Sequence, residues 1–313
     1  MKIVFIHGIN QQNFDAESFE HHWSNVFNIG LERNNLDLTS KDINLEFPFY
    51  GDILTARNMK NAVDLDTMNP NWAFFEKLPK LKERNKEKIQ KALEIPLLPH
   101  YDENLKYSLK RKFFLMSQLA KDHVLKEMVI LLNHFPNLHE SLVQKFISEA
   151  YLYWYDTTFK KQIHERILSC FEKGEQHIVV AHSLGTVIAY NVLHELSKDY
   201  PIERFITLAS PLPFNVVQRH IVSPIQRPKA LYGDWYNFYS RDDYLTTFPM
   251  TAPRFGISPK VKNHLITTFA DKPHEIIGYL QHPNVIRSIF EQTNYLKQMP
   301  KTQSLFKSAQ KTT

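Results

Sequence analysis

The chain has 313 residues and a formal net charge of +5, from 38 lysines and arginines against 33 acidic residues that are mostly interspersed along the sequence. Because nucleic-acid-binding domains usually concentrate their basic residues in one patch, this distribution argues against a nucleic-acid partner. A hydrophobic fraction of 43% excludes wholesale disorder, and the sequence has no run of about 18 apolar residues that would predict a transmembrane helix.

Short apolar runs recur along the chain, and their nearly continuous hydrophobicity is typical of strands buried on both faces of a parallel sheet. They predict strands at residues 2–7, 43–50, 177–181, 204–209, 235–239 and 264–269. Segments with helical spacing predict helices at residues 19–31, 186–198 and 275–296. Strand and helix alternate, which predicts an α/β fold in which a mostly parallel sheet is flanked by helices.

The segment from residue 55 to residue 165 interrupts this alternation, because it has few strand signals and helical spacing recurs within it. We interpret it as a large helical cap or lid, inserted into an α/β core that is formed by residues 1–54 and 166–297. The tail at residues 298–313 is polar and rich in Lys, Thr and Ser, which predicts a flexible end.

Two features of the predicted cap bear on its partners. Its Lys-rich stretch at residues 77–91 is typical of a solvated helix face, and the alternative is a peripheral contact with an anionic membrane. Its aromatic clusters are typical of core packing, and the alternative is the lining of an acyl pocket. An acyl pocket lined by these aromatic residues would favour a lipid-like substrate.

The stretch Ala181-His182-Ser183-Leu184-Gly185 follows a predicted strand and precedes a predicted helix. A nucleophile elbow places serine on a strained turn of this kind, usually within G-x-S-x-G, and needs small residues two positions to either side. Here Ala181 replaces the first glycine and adds only a methyl group, so the steric requirement is met. The stretch therefore predicts Ser183 as a nucleophile, and the alternative is a serine that only caps the helix.

A glycine-containing turn, His7-Gly8-Ile9, follows the first predicted strand. In acyl transfer, a backbone N–H from such a loop and one from the residue after the nucleophile stabilise the tetrahedral oxyanion. We therefore predict that the amides of Ile9 and Leu184 form an oxyanion hole. His7, Gly8 and Gly185 are predicted to shape the adjoining loops, since glycine permits a close backbone approach. The alternative for His7 is an ordinary residue at a strand end.

Serine is a weak nucleophile without a base, and the base needs an orienting carboxylate. Downstream of the serine, a predicted strand leads into Asp242 and Asp243; we choose Asp243 as the acid and keep Asp242 as the alternative. His274 lies in a loop before the last predicted helix. In folds with a nucleophile elbow the chain order is serine, acid, histidine, so the base is expected in this part of the sequence. His264 starts a predicted strand and His282 lies within a predicted helix, so structural roles are expected for both.

Four stretches together carry a family resemblance, namely V-F-I-H-G-I, F-Y-G-D, V-V-A-H-S-L-G-T-V-I-A-Y and I-T-L-A-S-P-L. With them the chain resembles the α/β-hydrolase superfamily, in particular its bacterial serine esterase and lipase-like members. The resemblance implies Ser183 as acyl-enzyme nucleophile, His274 as general base and then acid, and Asp243 as its orienting group. It also implies hydrolysis of a carboxylic ester without metal or cofactor, although the fold alone does not choose among ester, thioester and amide substrates.

Other functions find less support in the sequence. None of the His-Glu pairs continues into H-E-x-x-H, and C-x-x-C, Walker A and G-x-G-x-x-G motifs are absent from the 313 residues. Two alternatives stay open: a catalytically inactive fold of the same kind that serves as a binding module, and a phospholipase that acts as an antibacterial toxin.

Partners and location follow from the same features. The expected partner is a small-molecule or lipid ester substrate, and the oligomeric state is left open. The single cysteine, Cys170, excludes an intramolecular disulfide, and the N-terminus lacks the pattern of a signal peptide. We therefore expect a cytoplasmic location.

Overall fold

A sheet of parallel strands lies at the centre of the part of the chain that the computed structural model describes. That part comprises residues 1–8, 11, 14–38, 43–56, 63–64, 69–70, 149–150, 152–154, 156–218, 220–243, 248–269, 272–291 and 296–298. In chain order its elements are β1 (Lys2–Ile6), α1 (Ala16–Arg33), β2 (Leu36–Leu38), β3 (Asn44–Glu46), α2 (Gly51–Ala56), β4 (Val63–Asp64), β5 (Asn69–Pro70), α3 (Thr157–Leu168), β6 (His177–His182), α4 (Leu184–Glu195), β7 (Ile202–Leu208), α5 (Asn215–Gln218), β8 (Leu231–Ser240), β9 (Lys262–Ile266), α6 (Ile276–Leu280), α7 (Pro283–Phe290) and β10 (Leu296–Gln298).

The main sheet has six strands in the order β3-β1-β6-β7-β8-β9. Each neighbouring pair in it is parallel, so every connection must cross from one end of the sheet to the other. Helices lie in the connections between β1 and β8, whereas the described residues between β8 and β9 form turns and loops. Two antiparallel pairs, β2 with β10 and β4 with β5, form separate small sheets. The predicted α/β architecture, a mostly parallel sheet flanked by helices, is confirmed.

Both faces of the sheet are buried. In β1, Ile3 and Phe5 pack into a cluster with α1, α6 and α7, whereas Val4 and Ile6 pack into a second cluster with α3 and α4. All residues of β1 and β6 are buried, which explains why these strands read as continuous apolar runs rather than as an alternating pattern. Burying one side chain of this size stabilises the fold by about 1.5–3 kcal/mol, so the two clusters hold the helices against the sheet.

The six predicted strands correspond to β1, β3, β6, β7, β8 and β9, with shifted ends. One difference is at the strand predicted for residues 43–50. Only Asn44–Glu46 pairs with β1 there, and the chain beyond it leads into α2, which begins at Gly51. The prediction was too long because apolar residues continue beyond the strand to cover the sheet edge, with Phe49 and Tyr50 both buried.

The single helix predicted for residues 275–296 is wrong, because the structure has two helices there, α6 and α7. Pro283 is the first residue of α7, and His282 before it has an extended backbone with φ −70° and ψ 132°. Proline lacks the N–H that would continue a helix and disfavours helical geometry in the residue before it. The same residue is well suited to begin the next helix.

Most of the predicted cap, residues 55–165, and nearly all of the tail, residues 298–313, lie outside the described residues. The described helix α3 crosses the predicted boundary between residues 165 and 166. Its buried residues Phe159, Ile163 and Ile167 belong to the same cluster as α4. This stretch of the predicted insertion therefore packs as part of the core.

The longest described helix, α1, spans 18 residues and carries Glu17, Glu20, Glu32 and Arg33. Among the helices of the described ranges, none combines the length and the hydropathy needed to cross a bilayer.

The direction of the strands determines where the candidate site lies. Because parallel strands all end at the same edge of a sheet, the loops that follow β1, β6, β7, β8 and β9 meet there. These loops carry the polar and small residues of the candidate site, namely Gly8, Ser183, Ser210, Asp243 and His274.

Candidate active site

Ser183 occupies a sharp turn between β6 and α4. Its backbone has φ 54° and ψ −130°, a conformation with positive φ that non-glycine residues rarely adopt. Such a conformation costs about 1–3 kcal/mol and persists only where the surrounding structure enforces it. The Ser183 side chain makes no capping hydrogen bond to the helix, so the alternative of a simple helix cap does not describe this hydroxyl.

Small residues make the turn possible. A Cβ on Gly185 would lie 2.7 Å from the carbonyl oxygen of Ile6, and a Cβ on Gly8 would lie 2.6 Å from the Cβ of Ser183. Both distances are too short for real contacts, so the loop after β1 and the start of α4 can approach the serine only as glycines. Ala181, two residues before the serine, is fully buried.

His274 and Asp243 lie next to Ser183 in a continuous hydrogen-bonded chain. The Nε2 atom of His274 is 2.8 Å from the Oγ of Ser183. Its Nδ1 atom is 2.9 Å from Oδ2 and 3.0 Å from Oδ1 of Asp243. With the ring hydrogen on Nδ1 donated to the carboxylate, Nε2 accepts from the serine hydroxyl. The three residues chosen from the sequence are thus brought together.

No family model and no curated protein matches the chain. Support for a function therefore comes from the arrangement of side chains.

The alternatives to the chosen acid and base lie elsewhere. Asp243 is fully buried, whereas Asp242 is exposed and its backbone N–H donates to the Ser240 hydroxyl. His264 stacks on Phe238 with ring centroids 4.9 Å apart. His282 caps α7 by accepting a hydrogen bond from the backbone N–H of Asn284.

Half of the predicted oxyanion hole is described. Leu184 is the first residue of α4, a position where backbone N–H groups have no acceptor within the helix and where the helix dipole favours negative charge. Ile9, the other predicted donor, lies outside the described residues. Gly8, directly before it, approaches both Ser183 and the carbonyl oxygen of His182.

His7 holds the loop that precedes Ile9. Its Nδ1 atom donates to the carbonyl of Gly8 at 2.8 Å, and its Nε2 atom accepts from the backbone N–H of Tyr50 at 3.1 Å. The Tyr50 hydroxyl donates to the carbonyl of His7, and the two rings stack 3.6 Å apart. Burial lowers the pKa of His7 to about 3, so the ring is neutral at physiological pH and supports the loop through hydrogen bonds rather than charge.

Three further hydroxyls at the site carried no recognised signal in the sequence. Thr186 donates to the carbonyl of Ser183 at 2.7 Å and lies 2.8 Å from the hydroxyl of Ser210. Tyr279, in α6, donates to Oδ2 of Asp243 at 2.6 Å. Thr186 and Ser210 lie in two separate stretches of the sequence, and only their hydrogen bond in the structure shows that they meet. Tyr279 sits in a helix with no local feature to mark it.

A pocket adjoins the elbow between the loop after β1 and the first turns of α4. Gly8, Leu184 and Ile188 line it, together with the aromatic residues Tyr50 and Tyr153. Burial raises the pKa of both tyrosines, and their hydroxyls bond to protein groups: that of Tyr50 to the carbonyl of His7, and that of Tyr153 to His164 and Asn191. The buried side chains of His7 and Glu149 also line it, so the small pocket beside Leu184 has both apolar and polar walls.

Proposed function

We propose that this chain is a serine hydrolase of the α/β-hydrolase type that cleaves carboxylic esters through an acyl-enzyme intermediate. One observation carries the proposal: the hydrogen-bonded chain from Ser183 through His274 to Asp243, with 2.8 Å between the first pair and 2.9 Å between the second. The three side chains come from the ends of different strands and helices, and each lies in the position that its chemical role requires.

The geometry supports a two-step reaction. The Ser183 oxygen attacks the ester carbonyl while its proton moves to Nε2 of His274, and Asp243 stabilises the imidazolium that forms. The tetrahedral intermediate carries its negative charge on the former carbonyl oxygen, for which the amides of Leu184 and Ile9 are the proposed donors. Collapse expels the alcohol, which takes the proton from His274. Water then attacks the acyl-enzyme while its proton moves to His274. The bond between the acyl carbon and Oγ of Ser183 breaks, His274 returns the proton to Oγ, and the acid leaves.

The unfavourable backbone conformation of Ser183 also supports its role as the nucleophile. The positive φ of Ser183 and the crowded glycines around it are expensive for a residue that only begins a helix. This conformation places the Ser183 hydroxyl at the edge of the sheet, 2.8 Å from Nε2 of His274. A strained backbone that presents a reactive group is typical of nucleophiles in hydrolases.

For the acyl group, we propose apolar side chains in the loops that follow β7 and β8, at the sheet edge where Ser183 lies. Phe214 follows β7 and Phe248 follows β8, with their rings edge to face and centroids 6.0 Å apart. Phe248 is 50% exposed. These rings favour an apolar acyl group, and a lipid-like ester is the proposed substrate.

A fluorophosphonate probe tests the proposal directly, since it reacts only with an activated serine hydroxyl. We expect stoichiometric labelling of the wild type at Ser183. The variant Ser183→Ala should show no labelling and no turnover of p-nitrophenyl esters, whereas Ser169→Ala, which removes an exposed hydroxyl in the C-terminal turn of α3, should behave as the wild type does.

A wild type that neither binds the probe covalently nor turns over any ester would contradict the proposal and favour an inactive binding module. Turnover measured across acyl lengths, beside one phospholipid, separates the substrates. A maximum at long chains supports the lipid-like ester, and a maximum at acetyl or butyryl retains the hydrolase but removes the lipid.

A further inference from the structure

His182, the residue before the nucleophile, lies between two loops of the candidate site. Its Nε2 atom is 3.0 Å from the main-chain carbonyl oxygen of His274. A carbonyl oxygen can only accept, so Nε2 carries the ring hydrogen and donates it. On its other side, the ring packs against Gly8, where a Cβ would lie 3.3 Å from Nδ1. One side chain therefore contacts both the loop that carries the base and the loop that leads to Ile9.

The two partners of this hydrogen bond differ in how firmly they are held. His182 ends β6, which pairs with β1 on one side and β7 on the other. His274 lies in the loop between β9 and α6, where no strand pairing fixes the backbone. The ring of His182 is buried and lies 5.1 Å from the ring of His274, so the hydrogen bond is shielded from competing water.

We propose that His182 is a positioning residue that holds His274 in line with Ser183. This inference rests on the proposed function, because it assigns a role within the same site. The hydrogen bond ties the backbone of the base to the strand that ends at the nucleophile, so the distance between Nε2 of His274 and Oγ of Ser183 depends on it. His182 neither gives nor receives a proton in the reaction.

A neutral ring is what this position requires. The titratable groups that face His182 are His274, Asp243, His7 and Tyr279, from four different elements or loops. Burial, with a smaller contribution from His274, lowers the pKa of His182 to about 3. A cation here would stand beside the imidazolium that forms on His274 during acylation and would oppose it. Neutral histidine supplies the donor without that charge.

Two variants separate the hydrogen bond from the packing of the ring. His182→Phe keeps a flat ring and removes the donor, whereas His182→Gln retains an N–H in nearly the same place. The matched control is His177→Phe, the same change at the other end of β6, where the buried ring accepts from the backbone N–H of Glu172. Each variant is measured for p-nitrophenyl ester kinetics, for melting temperature and by proton NMR.

We expect His182→Phe to lower kcat by about 10- to 100-fold with KM changed less than about threefold, since a displacement of the base by a fraction of an ångström acts on the chemical step. His182→Gln should restore most of kcat, and His177→Phe should leave it unchanged. The low-field proton signal of the His274 Nδ1–H in its bond to Asp243 should shift or broaden in His182→Phe and return in His182→Gln.

Three results would overturn the inference: unchanged kcat in His182→Phe, equal losses in the Phe and Gln variants, or an equal loss in His177→Phe. The NMR signal does not depend on turnover. If the wild type fails to hydrolyse esters, the proposed function fails by itself, and an unchanged signal in His182→Phe would then overturn the positioning role separately.

Discussion

At the scale of single residues, the site depends on how a buried carboxylate is kept charged. Asp243 is fully buried, and burying a carboxylate is unfavourable unless hydrogen bonds replace its hydration. Oδ2 accepts from Nδ1 of His274 at 2.9 Å and from the hydroxyl of Tyr279 at 2.6 Å. Tyr279 therefore stabilises the carboxylate that orients His274, through a hydrogen bond to Asp243 rather than to Ser183.

Removing the Tyr279 hydroxyl tests this dependence. In Tyr279→Phe we expect kcat to fall about tenfold, equivalent to about 1.4 kcal/mol, because the carboxylate loses a strong charge-assisted donor. KM should stay near the wild-type value. Tyr190→Phe is the control, since the Tyr190 hydroxyl bonds to main-chain carbonyls away from the triad. A kcat within twofold of wild type in Tyr279→Phe would contradict the role.

At the scale of elements, the packing of α4 against β1 determines how closely Leu184 approaches Gly8. The contact occurs at Gly185, whose Cα lies against the backbone of Ile6 and His7. Because these neighbours are main-chain atoms at the end of β1 and in the residue that follows it, they have little freedom to move aside. The start of α4 can therefore lie this close to β1 only because Gly185 has no side chain.

Gly185→Ala should therefore destabilise the protein by about 1–3 kcal/mol, which is typical of overpacking. Urea unfolding measures this loss as a lower midpoint at an unchanged slope. The matched control is Gly256→Ala, where the nearest atom to a new Cβ would be 3.4 Å away and the side chain would face solvent. Equal midpoints for the two variants would show that α4 moves freely relative to β1.

At the scale of the whole molecule, buried histidines couple stability to pH. The structure lowers the pKa of a set of histidines, chiefly through burial: His7, His22, His164, His177, His182, His194, His264 and His282. For two of them, His7 and His182, the pKa falls from 6.5 to about 3. These rings are neutral in the folded state well below the pH at which they take up protons in the unfolded chain.

The sign of the effect follows from this order of protonation. Between pH 6.5 and pH 3 the unfolded chain binds more protons at His7 and His182 than the folded protein does, so stability falls as the pH falls. Each such histidine costs up to about 1.4 kcal/mol per pH unit in this window and nothing above it. We expect the free energy of unfolding to drop between pH 7 and pH 5, and to drop less steeply in His182→Phe. Identical slopes for the two proteins would contradict a neutral, buried His182.

Much of the fold was predictable because a strand that is buried on both faces has a recognisable local sequence pattern. Continuous apolar runs located β1, β6, β7 and β8 to within a few residues, since a strand covered on both faces tolerates few polar residues. The prediction of one helix over residues 275–296 fails at Pro283, because apolar residues recur with helical spacing on both sides of the proline. For residues 55–165, most of which lie outside the described ranges, the cap stays a prediction.

The sequence by itself determined the elbow, because its requirement is local: Ala181 and Gly185 lie within two residues of the serine whose turn they permit. Only the tertiary structure decided that Asp243 lies against His274, and only it revealed that Tyr279 and His182 contact these two residues. These partners are separated by 36 and 92 positions along the chain. A hydrogen bond depends on distance and direction in space, and residues so far apart acquire both only when parallel strands bring their ends to one edge of the sheet.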